Sequence, residues 1–135
     1  MKNFLLISLL LCSIRGFAFS WEKVGENAVG NSFYVDVDNI EKRQGIVYYK
    51  SLIDFLKPTK NGAYSHVSKY KVDCVEQRQT WLSNVFYNKP MGKGERIIEA
   101  IPVWNHYGST LNEVRSLSPG SIEDRVTRFV CDRTE

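Results

Sequence analysis

Cysteine, histidine and proline are scarce in this 135-residue sequence, at three, two and four copies. Two histidines, His66 and His106, with no ligand-like spacing to any cysteine give no basis for a metal centre. Four prolines exclude a proline-rich or collagen-like chain. Neither sign of charge dominates: 18 basic against 15 acidic residues leave +3, too mild to argue for a nucleic-acid partner. No apolar run approaches the ~20 residues that a membrane-spanning helix needs. There is no heptad array, internal repeat or linker, so one domain is expected. Aromatics, by contrast, are plentiful: seven Phe, seven Tyr and three Trp in a chain that is 43% hydrophobic. That composition belongs to a folded globular protein and excludes a disordered one.

The first twenty residues read as an address. Lys2 supplies a positive start, and residues 4–14 form an apolar run of about eleven residues closed by Arg15. Ala18 and Ser20 stand three and one positions before a cut ahead of Trp21, the pattern of a cleaved secretory signal. Cleavage after Ala18, with Gly16 at the third position back, is the nearby alternative. Cys12 raises a lipoprotein signal as a rival, but Leu11 stands before it where a small residue is needed, and Cys12 lies inside the apolar run. The expected division is therefore a signal peptide at 1–20 and one domain at 21–135. Without Lys2 and Arg15 the mature chain carries 16 basic and 15 acidic groups, further against a polyanion partner.

The mature chain then keeps two cysteines, Cys74 and Cys131. In an exported domain the simplest outcome is one disulfide between them, with two buried free thiols as the alternative. The bridge would be worth roughly 4 kcal/mol in the chain-entropy model. It would matter in a chain this short, which buries only about two thirds of its surface.

Alternation with period two marks the strands. In 33–38, Phe33, Val35 and Val37 point one way, and Tyr34, Asp36 and Asp38 the other. Arg43-Gln44-Gly45 is a turn signal. Residues 46–55 read as a central strand with partial cover on both sides, Val47, Tyr49, Ile53 and Phe55 being its cleaner apolar face. A loop by composition spans 57–62. In 65–74, Tyr70, Val72 and Cys74 share a face, while Lys69, Lys71 and Asp73 have the opposite parity. Residues 77–87 carry Trp81 and Val85 on one side, Leu82 and Phe86 on the other. After a turn at 88–94, residues 96–103 read as a last strand ending at Pro102.

The tail changes period. Thr110 and Glu113 have capping-box spacing, and Leu111, Val114 and Leu117 fall one turn apart, so a short helix is expected there. Ser121 is an N-cap, with Glu123 and Asp124 in the first turn where the dipole favours them. Ile122, Val126, Phe129 and Val130 make the stripe of a second helix. Cys131 falls about 155° from the middle of that stripe at 3.6 residues per turn. The helix should therefore end or distort near Val130 if Cys131 is to reach Cys74.

Candidate chemistry is sparse. Asp36 and Asp38 on one strand face could do acid–base work or hold a cation, but a solvated face explains them better. His66 and Ser68 share a strand face with no acid placed to orient the imidazole. Gly92-Lys93-Gly94 is too short for a phosphate loop and lacks its strand–loop–helix setting. Trp81, Trp104 and Tyr107 could stack on a sugar or a peptide, though core packing explains such residues more often. No base, nucleophile and orienting group can be drawn together, so no enzyme, no metal and no cofactor is expected.

Several pieces in order resemble one family: Trp21-x-x-Val24, Tyr34-Val35-Asp36, Ile40 ahead of Gly45-x-Val47, Asp73-Cys74 with Arg78, Tyr87 and Met91-Gly92, Pro119-Gly120-Ser121, and Val130-Cys131. Together they look like the surface-adhesin protein E domain of bacterial exported proteins. The likeness covers nearly all of the mature chain, although the link from Trp104 to Leu117 looks longer than usual. It implies an α+β fold, a single antiparallel sheet packed with a C-terminal helix, and a Cys74–Cys131 disulfide. It also implies a non-enzymatic, adhesin-like module of the cell envelope, contacting envelope or matrix proteins and able to form a homodimer. Tyr34, Asp36 and Asp38 are the candidate partner-binding face. A periplasmic structural or enzyme-inhibitor-like protein is the alternative. The expected location is periplasmic or secreted, rather than a lipid-anchored outer-membrane position, with no transmembrane span and no nucleic acid. Mass spectrometry of the extracytoplasmic protein is expected to find Trp21 at the mature N-terminus. An intact 1–20 segment would refute this, and a diacylated Cys12 would establish the lipoprotein rival.

Overall fold

The computed structural model describes residues 19–97 and 114–134. Outside them lie residues 1–18 with Cys12, the expected strand beyond Ile97, Trp104, His106 and Tyr107, and the capping-box spacing at 110–113. The described strands are β1 (Trp21–Glu26), β2 (Ser32–Asp36), β3 (Glu41–Arg43), β4 (Ile46–Asp54), β5 (Ser65–Asp73), β6 (Arg78–Tyr87), β7 (Arg96–Ile97) and β8 (Val114–Ser116), followed by helix α1 (Ile122–Asp132). All pairings are antiparallel, in the order β1-β2-β4-β5-β6-β7, with β3 beside β4 and β8 beside β6. β2 pairs with Ser51 to Asp54 and β3 with Ile46 to Tyr48, so the two follow one another along one edge of β4. A 3₁₀ turn at Val37–Asn39 steps between them. β7 and β8 occupy the two ends of β6 in the same way. The fold is thus a meander around three long strands, closed by a helix.

The turns follow from local chemistry. Arg43 faces Ile46, leaving Gln44 and Gly45 as a two-residue loop with φ of 51° and 81°. Left-handed φ at both positions matches the strand twist of a tight hairpin, and glycine takes it without steric cost. The β5–β6 turn is held by Asp73, whose Oδ1 accepts the N–H groups of Val75 and Glu76 at 3.0 and 3.1 Å.

One face of the sheet carries the core. Phe33, Val35, Val47, Tyr49 and Val72 pack against Ile122, Val126 and Val130 of α1. Each such side chain removed from water contributes about 1.5–3 kcal/mol. The helix starts as its sequence implies: Asp124 N–H donates to Ser121 Oγ at 3.1 Å. On the other face the cover is partial. A 3₁₀ turn at Pro90–Gly92 lies over Leu52, which is fully buried. Gly92 has φ of 68°, and a Cβ there would stand 3.1 Å from Val67 Cγ2 and 3.3 Å from Leu52 Cδ1. That close approach, together with the backbone angle, requires glycine.

Cys74 and Cys131 form the disulfide, with their Cα atoms 5.9 Å apart. α1 nevertheless continues through Cys131 to Asp132, contrary to the expectation that it ends near Val130. Cys74 is not on the sheet face beneath the helix. It is the first residue past β5, in the turn, and meets α1 from the flank while still packed on the edge of the core. Three further expectations are corrected. Val114 belongs to β8 rather than a helix, because pairing with β6 satisfies its backbone and overrides a weak helical spacing. β2 stops at Asp36, so Val37 and Asp38 leave the alternation. Trp81 and Phe86 were assigned to opposite sides of β6, yet both contact His66. An irregularity opposite Lys69 and Tyr70 inserts one extra residue into β6 and resets its parity.

Cys74→Ala is expected to lower stability by about 2–5 kcal/mol in urea unfolding. Two titratable thiols in the native wild-type protein would contradict the bridge.

Candidate functional site

The candidate residues Tyr34, Asp36 and Asp38 do not form one strand face. Tyr34 is half-buried in β2, facing away from the helix and opposite Lys23 of β1 and Leu52 of β4. Asp36 is fully buried. Its Oδ2 accepts Asn39 Nδ2–H at 2.7 Å and its Oδ1 accepts Ser20 N–H at 3.3 Å. Val37 N–H donates to Ser20 O at 3.0 Å. Asp36 therefore ties the entry to β1 to the 3₁₀ turn, a holding role rather than an exposed binding one. Asp38 is exposed in that turn, with its carboxylate hydrogen-bonded to Ser20 Oγ. The reading of paired carboxylates on a strand fails because the strand ends between them.

What the structure does gather is a band across the face opposite α1. Cross-strand register sets Lys50 opposite Lys69, and Tyr48 opposite Lys71. Alternation puts these four side chains on one side of the central strands. Lys69 is exposed, and Tyr48, Lys50 and Lys71 are half-buried. The Arg43 guanidinium lies 4.2 Å from the centre of the Tyr48 ring, and Lys50 Nζ 5.1 Å from that of Phe19. Among the described residues none of the three lysines has a salt bridge. The nearby acids are engaged elsewhere: Asp36 as above, Glu41 with Arg43 at 3.7 Å, and Asp73 in its turn. Sequence reasoning placed Lys69 and Lys71 on one parity but missed the band, because Lys50 joins it only through the β4–β5 register.

At the edge of the sheet, β1 presents Trp21, stacked on Phe19 with ring centres 5.3 Å apart. Lys23 and Glu26 form an ion pair at 2.7 Å, and that hydrogen bond raises the lysine pKa and lowers that of the glutamate. Arg133 and Arg125 of the helix end and face reach Glu22 Oε2 and Glu26 O, at 2.9 and 3.2 Å. Among the described residues no three His, Cys, Asp or Glu side chains gather as a metal site would require. Among them too, no helix is long and apolar enough to cross a membrane.

Comparison with known proteins agrees with this architecture. The family described as surface-adhesin protein E matches residues 21–132. A structure of Haemophilus influenzae protein E has 19% identity and a TM-score of 0.59, covering 83% of each chain. A second crystal form of that protein has 20% identity and a TM-score of 0.56 over 74% of this chain and 80% of that one. Protein E from non-typeable Haemophilus influenzae gives 18% and 0.56, covering 87% and 79%. At these identities the likeness is one of fold. No curated protein matches the sequence.

His66 and Ser68 do come together, with Ser68 Oγ 2.9 Å from His66 Nε2. The imidazole is 7% exposed and stacked on Phe86 at 4.3 Å. Burial pushes its pKa down to about 3, so it is neutral near pH 7 and far too weak a base to activate the hydroxyl. In this setting it is a core aromatic. An unfolded histidine titrates near 6.5, so the native state binds fewer protons between about 3 and 6.5. The resulting stability is complete above 6.5 and is lost as the pH falls toward 3. Moving from pH 7 to 4.5 should cost about 2–3 kcal/mol through this group. His66→Phe should show a correspondingly smaller loss in urea unfolding at the two pH values, and an equal loss would contradict the assignment.

Proposed function

The chain belongs to the surface-adhesin protein E family, and from that membership we propose that it is an exported, non-enzymatic binding module that holds protein partners through the β1 edge and the adjoining open face of its sheet. Membership in a surface-adhesin family implies an exported protein, which agrees with the signal pattern ahead of Trp21. The finer placement, periplasmic or secreted without a lipid anchor, rests on Leu11 standing before Cys12.

The observation that carries the reading is the exposed rim where β1 meets β2. Among the described residues β1 ends the strand order, so its outer edge, apart from the Glu26 carbonyl held by Arg125, can take an added strand. Beside it stand an indole, Trp21, a phenol, Tyr34, and an exposed carboxylate, Asp38. Aromatic anchors beside polar groups are the composition of a protein-binding surface. Cleavage before Trp21 would remove Phe19 from the indole and Ser20 from the carboxylates of Asp36 and Asp38, leaving the rim free for a partner. The same edge suits a homodimer by antiparallel pairing of two copies of β1. Matrix or envelope proteins are the partner class that the family points to.

The test uses the mature, oxidised protein against a panel of purified matrix proteins. Tyr34→Ala combined with Asp38→Asn is expected to weaken capture by roughly tenfold or more, the loss of one or two interface anchors, with an unchanged thermal midpoint. Asp36 is left intact because its hydrogen bond with Asn39 holds the 3₁₀ turn. Unchanged capture would move the site off this rim. A catalytic rate that disappears in the double variant while the fold persists would overturn the non-enzymatic reading.

A further inference from the structure

The lysine band on the central strands shares the open face with the β1 rim, Lys50 lying near the Phe19 ring that stacks on Trp21, and it needs its own account. Like charges directly opposite on neighbouring strands destabilise a sheet. Lys50 and Lys69 are such a pair, with Lys71 two residues along β5 on the same side. β4 and β5 are interior strands, so these lysines are not the charges that protect a sheet edge. Among the described residues no salt bridge neutralises them. Neighbouring strands are ~4.8 Å apart and same-face positions along a strand ~6.6 Å, so the three ammonium groups start from a compact cluster on flexible stems. Arg43 lies on the Tyr48 ring beside the band, with its charge paired to Glu41. On the next strand, the exposed Ser83 stands opposite Lys69 and adds a hydroxyl group beside it.

From this juxtaposition we propose that the band formed by Lys50, Lys69 and Lys71 is a binding site for a sulfated polysaccharide chain. Three features select that occupant. Lysine is depleted from protein–protein interface cores, which favour aromatic and arginine anchors in desolvated pockets, and this band is a cluster of three half-buried to exposed lysines. Lysine also meets anions as a mobile point charge, without the fixed fork by which arginine matches a carboxylate. It thus suits sulfate groups spaced along a flexible chain. Finally, the three lysines lie across two adjacent strands in one row and its neighbour, so an extended polyanion can meet all of them at once. Asp36, Glu41 and Asp73 near the band keep their charges, so the proposed site is the local cluster of three ammonium groups rather than a basic surface as a whole.

The proposal stands independently of the protein-partner reading. The experiment measures binding of the mature, oxidised protein to heparin by calorimetry in 50 and 300 mM NaCl. The parent is expected to bind at low salt and to lose most of that affinity at high salt. The variant K50Q/K69Q/K71Q is expected to bind at least tenfold more weakly, while its thermal midpoint stays equal or rises as the repulsion is relieved. The Arg triple variant, which keeps the charges, should retain binding. Tyr34→Ala with Asp38→Asn should bind heparin like the parent, so failure of either site is seen separately. No parental binding at 50 mM NaCl, or full binding by the Gln variant, would overturn the proposal. Equal affinity for desulfated heparin, for oligo-dT or for phosphatidylglycerol vesicles would likewise overturn the assignment to a sulfated glycan.

Discussion

Nine consecutive cross-strand pairs, from Ile46 with Asp73 to Asp54 with Ser65, join β4 to β5. Every other element takes its place from that ladder. Side chains alternate strictly along it, so a slip of one residue would turn Val47, Tyr49, Tyr70 and Val72 out to solvent and bring Lys50, Lys69 and Lys71 beneath the helix. Burying unpaired ammonium groups is costly, and so is exposing the apolar row. The register is therefore held by both faces at once. The Gln44-Gly45 hairpin ahead of it and the Asp73-held turn behind it pin the two ends of the ladder.

Much of this could be read from the residues. Regular alternation revealed β2, β4 and β5, because each has one face under α1 and one outside it. The Ser121 cap and the Ile122, Val126, Val130 stripe revealed the helix, since those signals are local. What escaped were features set by contacts distant in sequence. Val114 has a helical neighbour at spacing three but finds its hydrogen bonds across the sheet on β6. The parity of Trp81 depends on an extra residue in β6, which alternation alone does not show. Asp36 looked like a solvent-facing carboxylate because its parity matched that of Tyr34. Its actual burial comes from Ser20 and Asn39 closing over it.

The same distinction applies to the binding surfaces. A tally of charges describes a nearly neutral molecule, whereas the fold brings particular charges together. Asp124 pairs with Arg128, and Glu22 with Arg133, all on the helix side or the β1 edge. The lysines of β4 and β5 are left on the opposite face. Net charge governs solubility, but the local field governs what docks. The aromatic rim at β1 and the cationic band at β4–β5 are thus two surfaces of different character on one sheet.

The disulfide also determines how this molecule responds to being pulled. The cysteines are 57 positions apart, and their Cα atoms are 5.9 Å apart. Stretched out, that stretch of chain would reach roughly 200 Å at ~3.5 Å per residue. While the bond is intact, this length is withheld from any tension passing between the chain ends. Load entering ahead of β1 can extend only the residues before Cys74, by opening β1 to β5, and the few that follow Cys131. The segment from β6 to Cys131 of α1 is then inextensible. Chemical reduction would release that hidden length and change a short tether into a long one.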